Sequence, residues 1–137
     1  MNNRIGKRTW QFSAPAIIAS YATTAGIKEN DGPLGGHFDF IFPDNLFDEA
    51  SWEKAEQKLQ QYALEIALEK RGVESDTIDC LLGGDLLNQI VATSFTARWA
   101  GTPYFGLYGA CSTLAEGLLL AGTLLSGGFA QRTAVCT

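Results

Sequence analysis

The reading of this chain turns on Tyr108-Gly109-Ala110-Cys111-Ser112-Thr113-Leu114-Ala115-Glu116-Gly117. The run before it, Tyr104-Phe105-Gly106-Leu107-Tyr108, is short and apolar, the pattern of a buried strand. The run after it, Leu118-Leu119-Leu120-Ala121-Gly122-Thr123-Leu124-Leu125, extends a helix expected at about 112–126. That helix has Glu116 as its single charge, so it is expected to be buried on all sides. Cys111 therefore falls on a strand-to-helix turn. Gly109 is expected to supply a backbone conformation that a Cβ would resist, and Ser112 or Thr113 to cap the helix. A thiol in this position faces unpaired N–H groups and the positive end of the helix dipole, which favours a thiolate. The same N–H groups can receive a carboxylate. Cysteine is also among the most buried residue types and often does nothing but pack. The functional reading rests on the strand–Gly-x-Cys–helix pattern, which presents an exposed nucleophile.

Upstream, Ile78 to Leu82 reads as a strand buried on both faces, because its apolar residues do not alternate with polar ones. It ends in Gly83-Gly84-Asp85, which has neither the spacing nor the lysine of a phosphate loop. Asp85 follows a strand end, where open α/β sheets place their sites; it reads equally as a cap for a helix over Leu86 to Val91. Gln89 belongs to the same turn. A short helix from Ser94 to Ala100 stops at Gly101, with Pro103 beyond. Earlier still, Trp52, Ala55, Leu59, Tyr62, Ala63, Ile66 and Ala67 recur at helical spacing, giving a helix from about Ser51 to Arg71 that Gly72 stops. Trp52 and Tyr62 are expected in its core face. Ala16 to Ala22 reads as another strand, residues 1–12 as an extended basic arm, and Thr23 to Asp44 as loop whose Phe38, Phe40, Ile41 and Phe42 need cover. His37, the single histidine, lies in that loop with no nucleophile, base or metal partner adjacent, and reads as solvated. Arg132 to Thr137 is a final strand. The order of strands and helices gives an α/β layered fold with a mostly parallel sheet built near 16–22, 78–82, 104–108 and 132–136.

The 137 residues suffice for one domain, and 46% hydrophobic against 18% charged residues is a globular composition. The net charge of −5 leaves no general basic surface for nucleic acid. From Asp85 onward the charges are Asp85, Arg98, Glu116 and Arg132 alone, so this region is expected to be covered by its own core or by a partner. Three cysteines do not make a disulfide framework, and Cys80 and Cys136, in apolar runs, read as structural. The longest apolar run, at 118–125, is too short to span a bilayer, and the basic start is not followed by a signal-type apolar segment.

Gly-Ala-Cys-Ser-Thr followed by a small-residue apolar helix resembles the nucleophile turn of the thiolase and ketoacyl-synthase superfamily. Asp79-Cys80-Leu81-Leu82-Gly83-Gly84-Asp85-Leu86-Leu87-Asn88-Gln89, Phe95-Thr96-Ala97-Arg98, Gly106 to Thr113 and Gly6-Lys7-Arg8-Thr9-Trp10 together resemble one branch of it, the stage V sporulation protein AD family. The resemblance implies that residues 1–137 form an N-terminal thiolase-like half-domain, most of the first of two related halves, with the sequence truncated. It further implies a protein of a spore-forming bacterium, intracellular and peripheral to the spore inner membrane without a transmembrane segment. The family's task is binding dipicolinic acid (pyridine-2,6-dicarboxylic acid) or its calcium chelate for uptake into the developing spore. The implied ligand-binding residues are Cys111, Asp85, Gln89 and Ser112. No cofactor or resident metal is expected beyond calcium carried in the chelate. The implied partners are the dicarboxylate, sporulation membrane-channel proteins and a second copy in a homodimer, with no nucleic acid. The alternative is a thiolase- or ketoacyl-synthase-type acyltransferase with Cys111 as nucleophile. That chemistry needs a base and a further acid–base group, and among these residues His37 alone offers an imidazole, in an unrelated loop.

Overall fold

The computed structural model describes residues 4–87 and 89–137. Near the start, β1 (Arg4–Ile5) and β2 (Thr9–Trp10) pair as an antiparallel hairpin in place of the expected extended arm, of which residues 1–3 lie outside the described residues. β3 (Thr24–Ala25) pairs in parallel with β4 (Phe40–Ile41), and a short helix, α1 (Ile27–Asn30), lies between them. α2 follows at Trp52–Arg71. The remaining elements alternate: β5 (Cys80–Gly83), α3 (Val91–Ala100), β6 (Tyr104–Gly106), α4 (Thr113–Ser126) and β7 (Thr133–Cys136).

Local signals set the bounds of α2. The Ser51 hydroxyl accepts from the Lys54 N–H, one of the donors that a helix start leaves unpaired. Gly72 ends the helix in the left-handed region at φ 70°, which costs little without a Cβ. α3 ends in the same way at Gly101, φ 67°.

The central sheet is parallel, in the order β6-β5-β7. Alternation along β5 sends its side chains to two layers. Leu81 packs with Leu64 of α2, Ala97 and Ala100 of α3, and Cys136. Cys80 and Leu82 pack with Leu107 and Ala121 of α4. The chain is thus an α/β layered fold with α2 and α3 on one face of the sheet and α4 on the other. β5 is buried along its length, as a strand covered on both faces must be. The Asp79 carboxylate receives the N–H groups of Gln131 and Arg132 at 2.7 and 2.9 Å, and so fixes the start of β7 beside β5. Phe42, Phe47 and Ala55 form a third cluster with Leu59 and Tyr62, which covers Phe42 of the aromatic loop while Phe40 stays 36% exposed.

Five sequence expectations fail here. The strand expected to be buried at 104–108 is β6, Tyr104–Gly106, and its Phe105 is 50% exposed. The strand expected at 16–22 joins no ladder among the described residues, and the β6-β5-β7 sheet does not extend to it. The segment lies along α2, with the Ser20 hydroxyl donating to the Ala67 carbonyl at 2.7 Å, and Ile17 is 82% exposed. Strand propensity needs a pairing edge to be realised. Trp52, expected in the core, is 57% exposed because it opens α2 on the solvent side. Buried Gln60 is the inward polar residue of that helix. α4 is buried on one face alone. Thr113, Gly117, Ala121 and Gly122 face inward, while Leu114, Leu118, Leu119 and Leu120 are exposed. The small residues set that choice: a Cβ on Gly117 would collide with Val135 and one on Gly122 with Phe12. Finally, no helix forms over Leu86 to Val91. Leu86, Leu87, Gln89 and Ile90 form turns, Asn88 lies outside the described residues, and α3 begins at Val91, three residues before the expected Ser94.

Candidate functional site

β5 and β6 run in the same direction side by side, so the residues after each emerge at one edge of the sheet. Asp85 follows β5 and Cys111 follows β6. The two exits are pressed together by glycines. A Cβ on Gly84 would collide with the Leu107 carbonyl and come within 3.2 Å of the Thr113 methyl, and one on Gly83 would collide with the Cys136 carbonyl. Gly84 therefore packs the β5 exit closely against the β6–α4 turn, and Gly83 packs it against the end of β7.

Cys111 is a free, exposed thiol in a tight turn, Ala110–Ser112, that runs directly into α4. The expected roles of its neighbours shift by one position. Gly109 has φ −106°, open to any residue, and Ala110 carries the left-handed backbone at φ 48°. An L-residue there is strained. Gly109 is needed for space, because a Cβ would strike the Glu116 carboxylate and the Ser112 hydroxyl. Ser112 and Thr113 do not cap α4. Their hydroxyls donate backwards, to the carbonyls of Gly109 at 2.7 Å and Ala110 at 2.8 Å. Both hydroxyls thereby tighten the turn that carries Cys111. Glu116, in the first turn of α4, folds its carboxylate back over Gly109, toward the positive end of the dipole.

Asp85 is 4% exposed. Its carboxylate receives the Ile90 N–H at 3.1 Å, the Thr93 N–H at 2.9 Å and the Thr93 hydroxyl at 2.8 Å, which caps α3 from six residues upstream of its first residue, Val91. The Thr93 hydroxyl also accepts from Gln60 at 3.0 Å, and the Gln60 carbonyl oxygen accepts from Thr96 at 3.2 Å. This buried chain of polar groups, Asp85–Thr93–Gln60–Thr96, was not anticipated from the sequence; a glutamine on the inward stripe of an otherwise apolar helix face is the signal that could have found it. Gln89 is exposed and left-handed at φ 51°, and Ile90 follows at φ 68°. Of the four expected ligand residues, Cys111, Ser112 and Gln89 are on the surface and Asp85 is beneath it.

The other two thiols are different. Burial pushes the Cys136 thiol up to about 12 and raises that of Cys80, to which neighbouring Asp79 adds. Burial also raises the Tyr104 phenol, which donates to the Gly83 carbonyl at 3.1 Å. A separate cleft of about 480 Å³ opens between α2 and the Leu86–Leu87 turn, lined in part by Phe47, Trp52, Glu56 and Leu59. Burial, and then the charge of Asp85, raise the Glu56 carboxyl there; its Oε2 has no hydrogen-bond partner among the described residues. His37 is exposed in the turn before β4, outside the central sheet. Among the described residues no group of three or more His, Cys, Asp or Glu side chains is placed to hold a metal, and no helix is long and apolar enough to cross a membrane.

A parallel α/β sheet with an exposed cysteine on a strained turn into a helix defines the class: an α/β protein with its candidate site at the carboxyl edge of the sheet. The profile of the family described as Stage V sporulation protein AD (SpoVAD) matches residues 6–137, and the chain belongs to that family, one of spore formation. Stage V sporulation protein AD of Bacillus subtilis (strain 168) is 44% identical over 132 residues, which cover 96% of this chain and 39% of that relative. The chain thus spans about two fifths of the length of the curated relative it matches.

Proposed function

We propose that this chain supplies part of a non-catalytic, thiolase-like pocket that binds dipicolinic acid, or its calcium chelate, for uptake into the developing spore. Membership of the stage V sporulation protein AD family is the observation that carries this reading. The geometry is compatible with it. A carboxylate suits the start of α4, where backbone N–H groups and the dipole favour negative charge; Cys111 and Ser112 sit at that start on the surface, and a bound dicarboxylate shares it with the Glu116 carboxylate. Asp85 acts from below in this reading: by holding Ile90 and Thr93 it sets the turn that carries Gln89 toward solvent. Calcium enters as part of the ligand, since a hard cation needs six or more oxygens and Asp85 is already bonded to N–H groups. The same reading assigns a homodimer and sporulation membrane-channel proteins as the partners of the whole protein.

The test is calorimetry of the intact protein with dipicolinate, with and without calcium. Cys111→Ala keeps the helix N–H groups and is expected to weaken binding by less than about tenfold, or 1.4 kcal/mol, whereas Cys111→Trp fills the space and abolishes it. No binding of either form to the wild type sinks the proposal.

The second reading is acyl transfer, favoured by one observation: the free Cys111 thiol stands exposed on a strained turn at a helix start. Its proton acceptor would have to come from outside the residues around the turn. Accumulation of an acyl group on Cys111 from an acyl-thioester donor, without dipicolinate binding, selects this reading instead.

A further inference from the structure

We propose that the β1–β2 hairpin is a docking surface for an anionic lipid bilayer. Its turn is held by the Arg4 side chain. Arg4 donates from Nε to the Gly6 carbonyl at 3.0 Å and from Nη2 to the Lys7 carbonyl at 2.7 Å, and Gly6 takes φ 63° to reverse the chain. This leaves Lys7 and Arg8 at the tip, both exposed and both without an acidic partner among the described residues. Arg4 stands opposite Trp10 in the register, and Ile5 opposite Thr9. Ile5 and Trp10 are 55% and 56% exposed and stand on opposite faces of the ladder, so a large apolar side chain flanks the cationic tip on each side.

The charge of the molecule is divided accordingly. Three of its ten basic residues lie in the first twelve positions and the first acid is Glu29, so the other seven share the remainder of the chain with all fifteen acids. An anionic surface attracts the hairpin and repels the body, which fixes one orientation. Phe12, packed where a Cβ on Gly122 would stand, ties the hairpin to α4 and keeps it on the body. An exposed tryptophan and isoleucine beside lysine and arginine suit the headgroup region, where amphipathic side chains rest. A nucleic acid would use the cations and leave Ile5 without a partner, so the bilayer is the better match. The hairpin is too small to anchor irreversibly; it orients.

The experiment is sedimentation of the full chain with vesicles of neutral phosphatidylcholine, and of phosphatidylcholine with phosphatidylglycerol, at low and at physiological salt. Partition onto the anionic vesicles is expected, falling with salt. Lys7→Gln with Arg8→Gln should lower it about thirtyfold, at about fivefold for each cation removed. In a Trp52→Phe, Trp99→Phe variant, emission from Trp10 should shift to the blue on binding. Equal partition onto neutral vesicles, an unchanged partition for the double variant, an unmoved Trp10 emission, or tighter binding to a duplex oligonucleotide than to the vesicles each overturns the proposal. Because neither Cys111 nor Asp85 takes part, this result is independent of dipicolinate binding.

Discussion

At Cys111, exposure separates one thiol from two others that the sequence alone distinguishes only by pattern. Iodoacetamide at mild alkaline pH should label Cys111 in the folded chain, because burial holds Cys80 and Cys136 in the thiol form, the latter with a value of about 12. Peptide mass spectrometry reads the site, and preferential labelling of Cys80 would refute the assignment. At Gly84 the effect is steric. Ala at this position drives a methyl group into the Leu107 carbonyl, which cannot rotate away as a side chain would, so Gly84→Ala should cost about 1–3 kcal/mol in urea unfolding. Asp85→Ala removes the acceptor of two backbone N–H groups and a buried hydroxyl, and should cost at least about 1–3 kcal/mol. The expected signature is faster hydrogen exchange at Thr93 before the sheet opens.

Among the elements, α2 shows how local and tertiary terms divide. Its cap is local, and Ser51→Ala should lower stability by about 1 kcal/mol. Its Glu56 is a tertiary matter. The carboxyl is raised by burial first and by Asp85 second, so its charged form is less favourable folded than unfolded. An acid raised in this way binds protons more readily in the native state, and the protein loses stability as pH climbs from the unfolded value through the raised one. Glu56→Gln should therefore unfold at higher urea than the wild type at pH 8, with the difference fading below about pH 4, near the ordinary carboxylate value. A variant that is less stable at pH 8 would show that the bonds Glu56 receives from the Leu86 and Leu87 N–H groups outweigh its burial. Asp39 runs the other way. The 2.6 Å bond from Lys70 holds its carboxyl low, and its contribution is lost as pH falls through the lowered value.

For the molecule as a whole, the outer face of α4 decides behaviour in solution. Leu114, Leu118, Leu119 and Leu120 are between 40% and 50% exposed, and Phe129 is 81% exposed. Apolar surface of this extent on one helix marks a contact face. The chain is expected to self-associate at micromolar concentration, and Leu118→Glu with Leu119→Glu to reduce it, as light scattering would show. A wild type that scatters as a monomer at that concentration would refute this.

Residue pattern alone determined the three strands of the parallel sheet, α2 with its Ser51 and Gly72 ends, and the strand–turn–helix around Cys111. Each of these rests on short-range chemistry: apolar runs without alternation, a cap hydroxyl, a glycine stop. The family, too, was legible in the motifs at 79–89 and 106–113, because these follow the exits of adjacent strands and are read together. Tertiary structure decided the rest. Whether Ala16 to Ala22 becomes a strand depends on an edge within reach, and the fold lays this segment along α2, where Ser20 bonds the Ala67 carbonyl. Which side of α4 faces the sheet depends on where glycines admit Val135 and Phe12. Ala110, not Gly109, takes the left-handed backbone, and the glycine is needed for the space that Glu116 and Ser112 occupy over it. And Asp85 spends its carboxylate on Ile90 and Thr93, since a buried charge must be bonded wherever the fold has placed donors, and sequence spacing does not say where that is.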